Sequence, residues 1–297
     1  YARLACAGSS RRNQTGLVIG GNTGTDCVGF ARLLSGDPRK SFETWTRDVT
    51  KHTRRKFPKS ICDSTSLREY PLGPPRDEAR VLCVEPLPSN VETLLKASMS
   101  PPWNGSLGIY QAAVSDAVAP NQSVTIIVHS LRSEHFGVET AHIDLQKRGP
   151  GLIRYPNKKK VLLGVQVTST TVDEIIAQNM NGAPPYLLSV DTEGFDALVL
   201  RGAARTLASG QVGYVEFEYH RLQPWFRMRL RDTIAELDAF GYDCYWAQPR
   251  LVRITGCFPW HKFEAMTQTH MWSNVVCARR KDPCWAKALE LACEAPS

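Results

Sequence analysis

No stretch of these 297 residues approaches the roughly 18 consecutive apolar residues that carry a chain across a bilayer, so no transmembrane segment is expected. The nine cysteines include no C-x-x-C pair, and none lies at zinc-finger spacing from a histidine, which argues against a structural zinc. Internal repeats and low-complexity tracts are also missing. The chain opens at Tyr1 instead of a methionine, and we expect a truncated start behind which a native leader or anchor would be invisible. Acids are the scarcer charge: 29 against 36 Lys and Arg leave a net charge of +7 and a pI near 9.0. That balance favours an anionic partner such as a phosphate, a sulfated or uronic sugar, or nucleic acid, with plain solubility as the bland alternative.

What is present is an ordinary globular composition, 42% hydrophobic, in a length that fits one large α/β domain over 1–297. The compartment stays open between cytoplasm and secretory lumen. Three N-x-S/T sequons, at Asn13, Asn104 and Asn121, suit a lumen, although chance alone supplies about one. Cys83 and Cys277 sit in apolar runs and read as buried free thiols, while Cys284 and Cys293 either pair or stay reduced on a terminal helix.

Short apolar runs alternate with helical periodicities, the pattern of a parallel sheet covered on both faces. "GLVIGGNTG" (16–24) reads as a strand entering a glycine turn, followed by a helix capped by Thr25 or Asp26. "ARVLCVEP" (79–86) is a strand ending on Glu85, and Ser89 with Glu92 has capping-box spacing for the helix after it. "LGIYQAAVSD" (107–116) makes a third strand closing on Ser115 and Asp116, and "TVDEIIAQN" a helix opened by Thr171 and Glu174. "YLLSV" (186–190) is a central strand, and "VGYVEFEYH" (212–220) follows with Val215, Phe217 and Tyr219 on one face. A helix lined by Phe226, Leu230, Ile234, Leu237 and Phe240 precedes two last strands. Two segments break the regularity: 37–80, charged and Pro-rich, reads as a peripheral basic insertion, and 123–168 as a β-hairpin insertion.

Ligands of open α/β sheets bind beyond the carboxyl ends of the strands. Gly20, Gly21, Asn22 and Gly24 form a turn there that lets a ligand lie against bare backbone, although the spacing is not the G-x-G-x-x-G of dinucleotide enzymes. Glu85 is placed to accept both hydroxyls of a ribose, and Asp116, beside Ser115, to bond the amine of an adenine; the alternatives are a solvated strand end and a turn-forming Asp. Asp191 ends the central strand, and Glu218 and His220 end the next, all on one rim of the sheet. Against this, Asp191 could cap a helix beginning near Glu193, a position where an acid is favourable anyway, and Asp196 reads as merely solvated. Glu216 shares a face with Glu218 and His220 but lies deeper, where a structural hydrogen-bonding role suits it better. The basic run Lys51, His52, Arg54, Arg55, Lys56 and Lys59 is a solvated face or a collar for an anionic acceptor. Trp225 with Arg227 and Arg229 offers an acceptor wall, although Phe226 and Leu230 mark the segment as one that chiefly packs.

"VEPLPSN", "QAAVSD", "TTVDEII" and above all "LLSVDTEGFDALVLRGA" with the later "VEFEYH" resemble the FkbM-type methyltransferases. The resemblance implies a Rossmann-like, seven-stranded class I methyltransferase sheet and S-adenosylmethionine as cofactor. Gly20, Asn22 and Gly24 match the family's glycine turn and Gly21 replaces a small Ala. Val18 stands where the family carries an acid, which puts the contact to the cofactor's methionine end in question. The expected reaction is O-methyl transfer to a hydroxyl of a sugar or natural product, a small-molecule or glycan acceptor. Asp191, Glu218 and His220 would remove the hydroxyl proton, as a base or by holding Mg²⁺ or Mn²⁺. Two rivals remain. A nucleic-acid methyltransferase would use the positive charge, but no RNA-binding module or stacking aromatics are recognisable, so no nucleic-acid partner is expected. A binding module that kept the fold and lost the cofactor is the other, motivated by Val18.

Overall fold

The computed structural model describes residues 15–53, 79–119, 122–128, 142–143, 151–154, 161–220, 223–247, 251–261, 272–280 and 282. Its first strand, β1 (Thr15–Ile19), is almost wholly buried and pairs in parallel with β2 (Arg80–Glu85) and β9 (Leu187–Val190). β2 continues to β3 (Leu107–Gln111), and β9 to β10 (Tyr214–His220). β13 (Trp272–Arg279) then lies antiparallel to β10 and to β11 (Tyr242–Trp246), and the two-residue β12 (Val252–Arg253) pairs with β11. The order is β12-β11-β13-β10-β9-β1-β2-β3, eight strands where seven were expected, the extra one being the short edge strand β12. Apolar runs in the central strands follow from burial on both faces. One face packs Leu17, Leu188, Val215 and Phe217 against α4 (Val172–Asn179), α5 (Asp196–Arg201), α6 (Ala204–Ala208) and α7 (Leu230–Ala239). The other packs Val18, Cys83 and Tyr214 against α1 (Thr25–Ser35), α2 (Phe42–Thr50) and α3 (Pro88–Ser98).

Several local expectations change. The third strand divides at Ala112, because β4 (Ala113–Val114) leaves β3's sheet to pair with β8 (Val161–Thr170). The segment expected to be a hairpin is larger: β8 also pairs with β5 (Ser123–Val128) and β7 (Gly151–Arg154), and β5 with β6 (His142–Ile143), a second sheet of five strands. The 37–80 insertion is not wholly peripheral. Its helix α2 sends Trp45, 0% exposed, under the glycine turn, where Nε1 donates to Thr23 O at 2.8 Å and the ring meets Trp103 edge-on. Lys51 and His52 are exposed beyond that helix, and Arg54, Arg55, Lys56 and Lys59 lie outside the described residues.

Caps differ too. α1 starts after Gly24 without a side-chain cap, and α3 starts at Pro88 after Leu87, so Ser89 and Glu92 form no box and Glu92 pairs with Lys96 instead. The box of Thr171 and Glu174 is present. Cys83 and Cys277 are not free thiols: Cys27 bonds Cys83 between α1 and β2, and Cys244 bonds Cys277 directly across β11 and β13. Cys284, Cys293, Asn13 and Asn121 lie outside the described residues. No helix among the described residues is long and apolar enough to cross a membrane.

Candidate functional site

Strand register decides what meets at the rim. Ile19 is level with Val84 on one side and Val190 on the other, and Val190 with Phe217. One step further, Glu218, Asp191, Gly20 and Glu85 therefore stand level in one row across the carboxyl ends of four adjacent parallel strands, with β10 running on to His220. The chain crosses there at close quarters. A Cβ on Gly20 (φ +95°) would lie 1.6 Å from the Asp191 carbonyl oxygen, and one on Gly21 2.6 Å from Cys83 Sγ. Gly24 (φ +80°) sits equally tightly on the Trp45 ring. The turn's glycines are thus demanded by packing as well as by backbone conformation.

Beyond the row opens a cleft of about 730 Å³, counted with its mouth. Its walls come from Ile19, Gly20, Asn22, Glu85, Pro86, Leu87, Asn90, Ala112, Ala113, Val114, Ile126, Asp191, Thr192, Glu193 and Phe195. Glu85, 4% exposed, is held by three donors: Asn22 N–H to Oε2 at 2.7 Å, and Leu87 N–H and Asn90 Nδ2 to Oε1 at 3.0 and 3.1 Å. Burial pushes its carboxyl up to about 7 despite them. With Oε1 taken twice, Oε2 keeps one acceptor direction open. Asn22 Oδ1, Asn90 Oδ1 and Thr192 Oγ1 are buried here without a partner among the described residues. Unsatisfied acceptors beside an acid and an apolar wall fit the hydroxylated and aromatic parts of an adenosyl group.

The opposite wall is acidic. Asp191 N–H donates to Ile19 O at 2.9 Å, and its side chain caps no helix, since α5 begins after Phe195 without a side-chain cap. Asp191 is held well above the ordinary carboxylate range, first by burial, then by the charge of Glu218, with Asp196, Asp26 and Glu193 adding. Glu193 is not in a helical first turn but in a left-handed one (φ +53°), as is Asn22 (φ +44°) on the facing loop. Both loops carry the backbone strain that gathers at functional sites.

Asp196, expected to be solvated, is 0% exposed. Its Oδ2 accepts from Gly194 N–H and its Oδ1 from Glu218 N–H, both at 3.2 Å, which fixes the Asp191–Gly194 loop to the end of β10. Sequence reasoning missed it because a buried Asp at a helix start looks like a surface one; the "G-F-D" context after two acids was the available signal. Glu216 takes Ser189 Oγ at 2.8 Å and Tyr214 hydroxyl at 3.2 Å, a structural role, and burial raises it to about 7.

Other expected groups lie elsewhere. Ser115 and Asp116 do not line the cleft: Ser115 O packs against Gly202, and Asp116 is exposed. His220 ends β10 opposite Trp272, and its side chain lies outside the described residues. Trp225 is core, stacked on Phe217 and edge-on to Tyr219, so it forms no acceptor wall. Val18 is also core, 1% exposed. Among the described residues no group of three or more His, Cys, Asp or Glu is arranged to hold a metal ion, so the set Asp191, Glu218 and His220 gains no support there.

The sequence profile of the Methyltransferase FkbM domain matches residues 75–244. Among solved structures, "Methyltransferase FkbM" from Methylobacillus flagellatus KT is similar over 94% of this chain and 47% of its own, with 12% identity and a TM-score of 0.42. The chain thus spans about half of that protein. A precorrin-6y C5,15-methyltransferase from Geobacter metallireducens GS-15 is similar over 93% of this chain and 86% of its own, with 9% identity and a TM-score of 0.36. No curated protein matches in sequence.

Proposed function

Because the chain belongs to the FkbM methyltransferase family, we propose that it is an S-adenosylmethionine-dependent O-methyltransferase acting on a hydroxyl of a sugar or natural product. The observation that carries this reading is the shared row: the glycine turn and Glu85 stand beside Asp191 at the carboxyl ends of adjacent strands. The cofactor would supply an activated sulfonium methyl. Glu85 Oε2 and the acceptors of Asn22 and Asn90 would bind its ribose, and Ala112, Ala113 and Val114 would flank its base.

An aliphatic hydroxyl is a weak nucleophile, so the chain must take its proton as the carbon–oxygen bond forms. Asp191 suits that task. Burial and the neighbouring acids make it more basic than an ordinary carboxylate, and Thr192 and Phe195 shape the space beside it. Glu218 keeps Asp191 basic through its charge, and Asp196 holds the backbones of Glu218 and of Gly194, at the end of the loop that begins with Asp191. Calorimetric titration with S-adenosylhomocysteine tests the cofactor half, with binding expected in the micromolar range. Absence of heat at high micromolar ligand removes the enzyme reading and leaves a binding module. Methylation of a panel of hydroxylated acceptors then tests the other half.

A further inference from the structure

Two features outside the cleft point the same way. Cys27, Cys83, Cys244 and Cys277 are each 0% exposed and are joined as two disulfides inside the core. Such bonds form and persist where the compartment is oxidising and are rare where thiol reductants dominate. The second feature is Asn104-Gly105-Ser106, the sequon whose three residues all lie within the described chain, in the connection between α3 and β3. Asn104 is exposed, and the site of a Cβ on Gly105 (φ +77°) has nothing within 4 Å. The turn is anchored beneath. Ser106 Oγ donates to Trp103 O at 2.9 Å, Ser106 O accepts from Val81 N–H at 2.8 Å, and Trp103 is fully buried.

From these we propose that the chain matures in an oxidising secretory compartment and carries an N-linked oligosaccharide on Asn104. The donor is a polyprenyl-diphosphate-linked oligosaccharide. Asn104 Nδ2 forms a bond to the anomeric carbon as the carbon–oxygen bond to the diphosphate breaks, the amide loses one proton, and the polyprenyl diphosphate leaves. Each disulfide forms by exchange with an oxidised thiol–disulfide carrier, which departs as the dithiol. Because Ser106 is buried in the folded protein, the transfer happens on the unfolded chain, and the folded turn then presents the sugar to solvent.

The position also leaves the cleft clear. Leu107 is level with Val81 at the amino end of β2, and Glu85 is at the other end, about 13 Å along the strand. A glycan on Asn104 therefore stands off the end of the sheet opposite Glu85 and Asp191. The proposal does not depend on the methyl-transfer reading.

The test is peptide mass spectrometry on the protein isolated from the cells that make it, with free thiols alkylated before any reduction. The Asn104 peptide should carry a hexose and N-acetylhexosamine mass, and amidase release in ¹⁸O-water should leave a labelled aspartate there. The four core cysteines should escape alkylation. In the same cells, Asn104→Gln should lose one glycan increment on a gel, while Ser106→Thr should retain the increment. An unmodified Asn104 peptide, an unchanged Asn104→Gln mobility, or full alkylation of the four cysteines overturns the proposal.

Discussion

At the scale of single residues, the site is organised by differences in basicity. Glu85 and Asp191 stand on the same rim, on the strands flanking β1, but three donors hold Glu85 to one remaining acceptor direction, whereas Asp191 is surrounded by other acids. Replacing Asp191 with Asn removes the base and keeps the shape, so kcat should fall by about 10²- to 10⁴-fold with binding of S-adenosylhomocysteine almost unchanged. Undiminished turnover in that variant would falsify the assignment. The activity of the wild type should carry an acid limb well above pH 4, because a base must be ionised to act and Asp191 is held above the ordinary range. Glu85 gives a separate signal. If ribose binds its carboxylate, S-adenosylhomocysteine should expel a proton from it at pH 6, which calorimetry reads as a heat that depends on the buffer's ionisation enthalpy. A buffer-independent heat counts against Glu85 as the ribose ligand.

At the scale of elements, Asp196 joins two of them, α5 and β10, through backbone donors that water does not reach. In Asp196→Ala the N–H groups of Gly194 and Glu218 lose their acceptor, at about 1–3 kcal/mol each. Calorimetric unfolding should show that loss, and a melting temperature within a degree of wild type would mean the two bonds are replaced by others. The same element shows what the sequence can and cannot reveal. The strands "LLSV" and "YVEFEYH" were legible because burial on both faces leaves long apolar runs or clean alternation, and the row of Gly20, Glu85, Asp191 and Glu218 followed from strand ends alone. The role of Asp196 was not legible, because its partners are backbone groups of Gly194 and Glu218, one of them 22 positions away, which no side-chain pattern records. Nor was the break of β3 from β4, since Ala112 to Val114 stay apolar while the pairing partner changes from β2 to β8. Phe195, Leu198, Val199 and Leu207 recur at the spacing of one helix, but the helix breaks at Gly202, where Ser115 O comes too close for any Cβ.

At the scale of the whole molecule, disulfides and buried acids set how stability responds to its surroundings. Each disulfide closes a long loop, with partners 56 and 33 residues apart, and loop-closure entropy assigns each about 4 kcal/mol. A Cys244→Ser, Cys277→Ser double variant should therefore unfold at distinctly lower denaturant than wild type, and an unchanged midpoint would show that the strand pair β11–β13 holds itself together without the bond. The acids act through pH. Glu85 and Glu216 are both raised from 4.5 to about 7, so the native state binds protons that the unfolded chain has already released between those values. The stability they contribute is complete below about pH 4.5 and is lost as pH rises through about 7. The lowered carboxylates, Asp37, Asp48 and Asp173, work in the opposite sense but titrate below that window. Glu216 is the cleaner probe because it lies outside the cleft wall and accepts hydrogen bonds from Ser189 and Tyr214 within the sheet. Thermal unfolding of Glu216→Gln should accordingly show a shallower fall than wild type between pH 5 and 7 and run parallel to it well above. Parallel curves across that interval would mean that Glu216 is ionised in the fold, and that the hydroxyls of Ser189 and Tyr214 outweigh the cost of its burial.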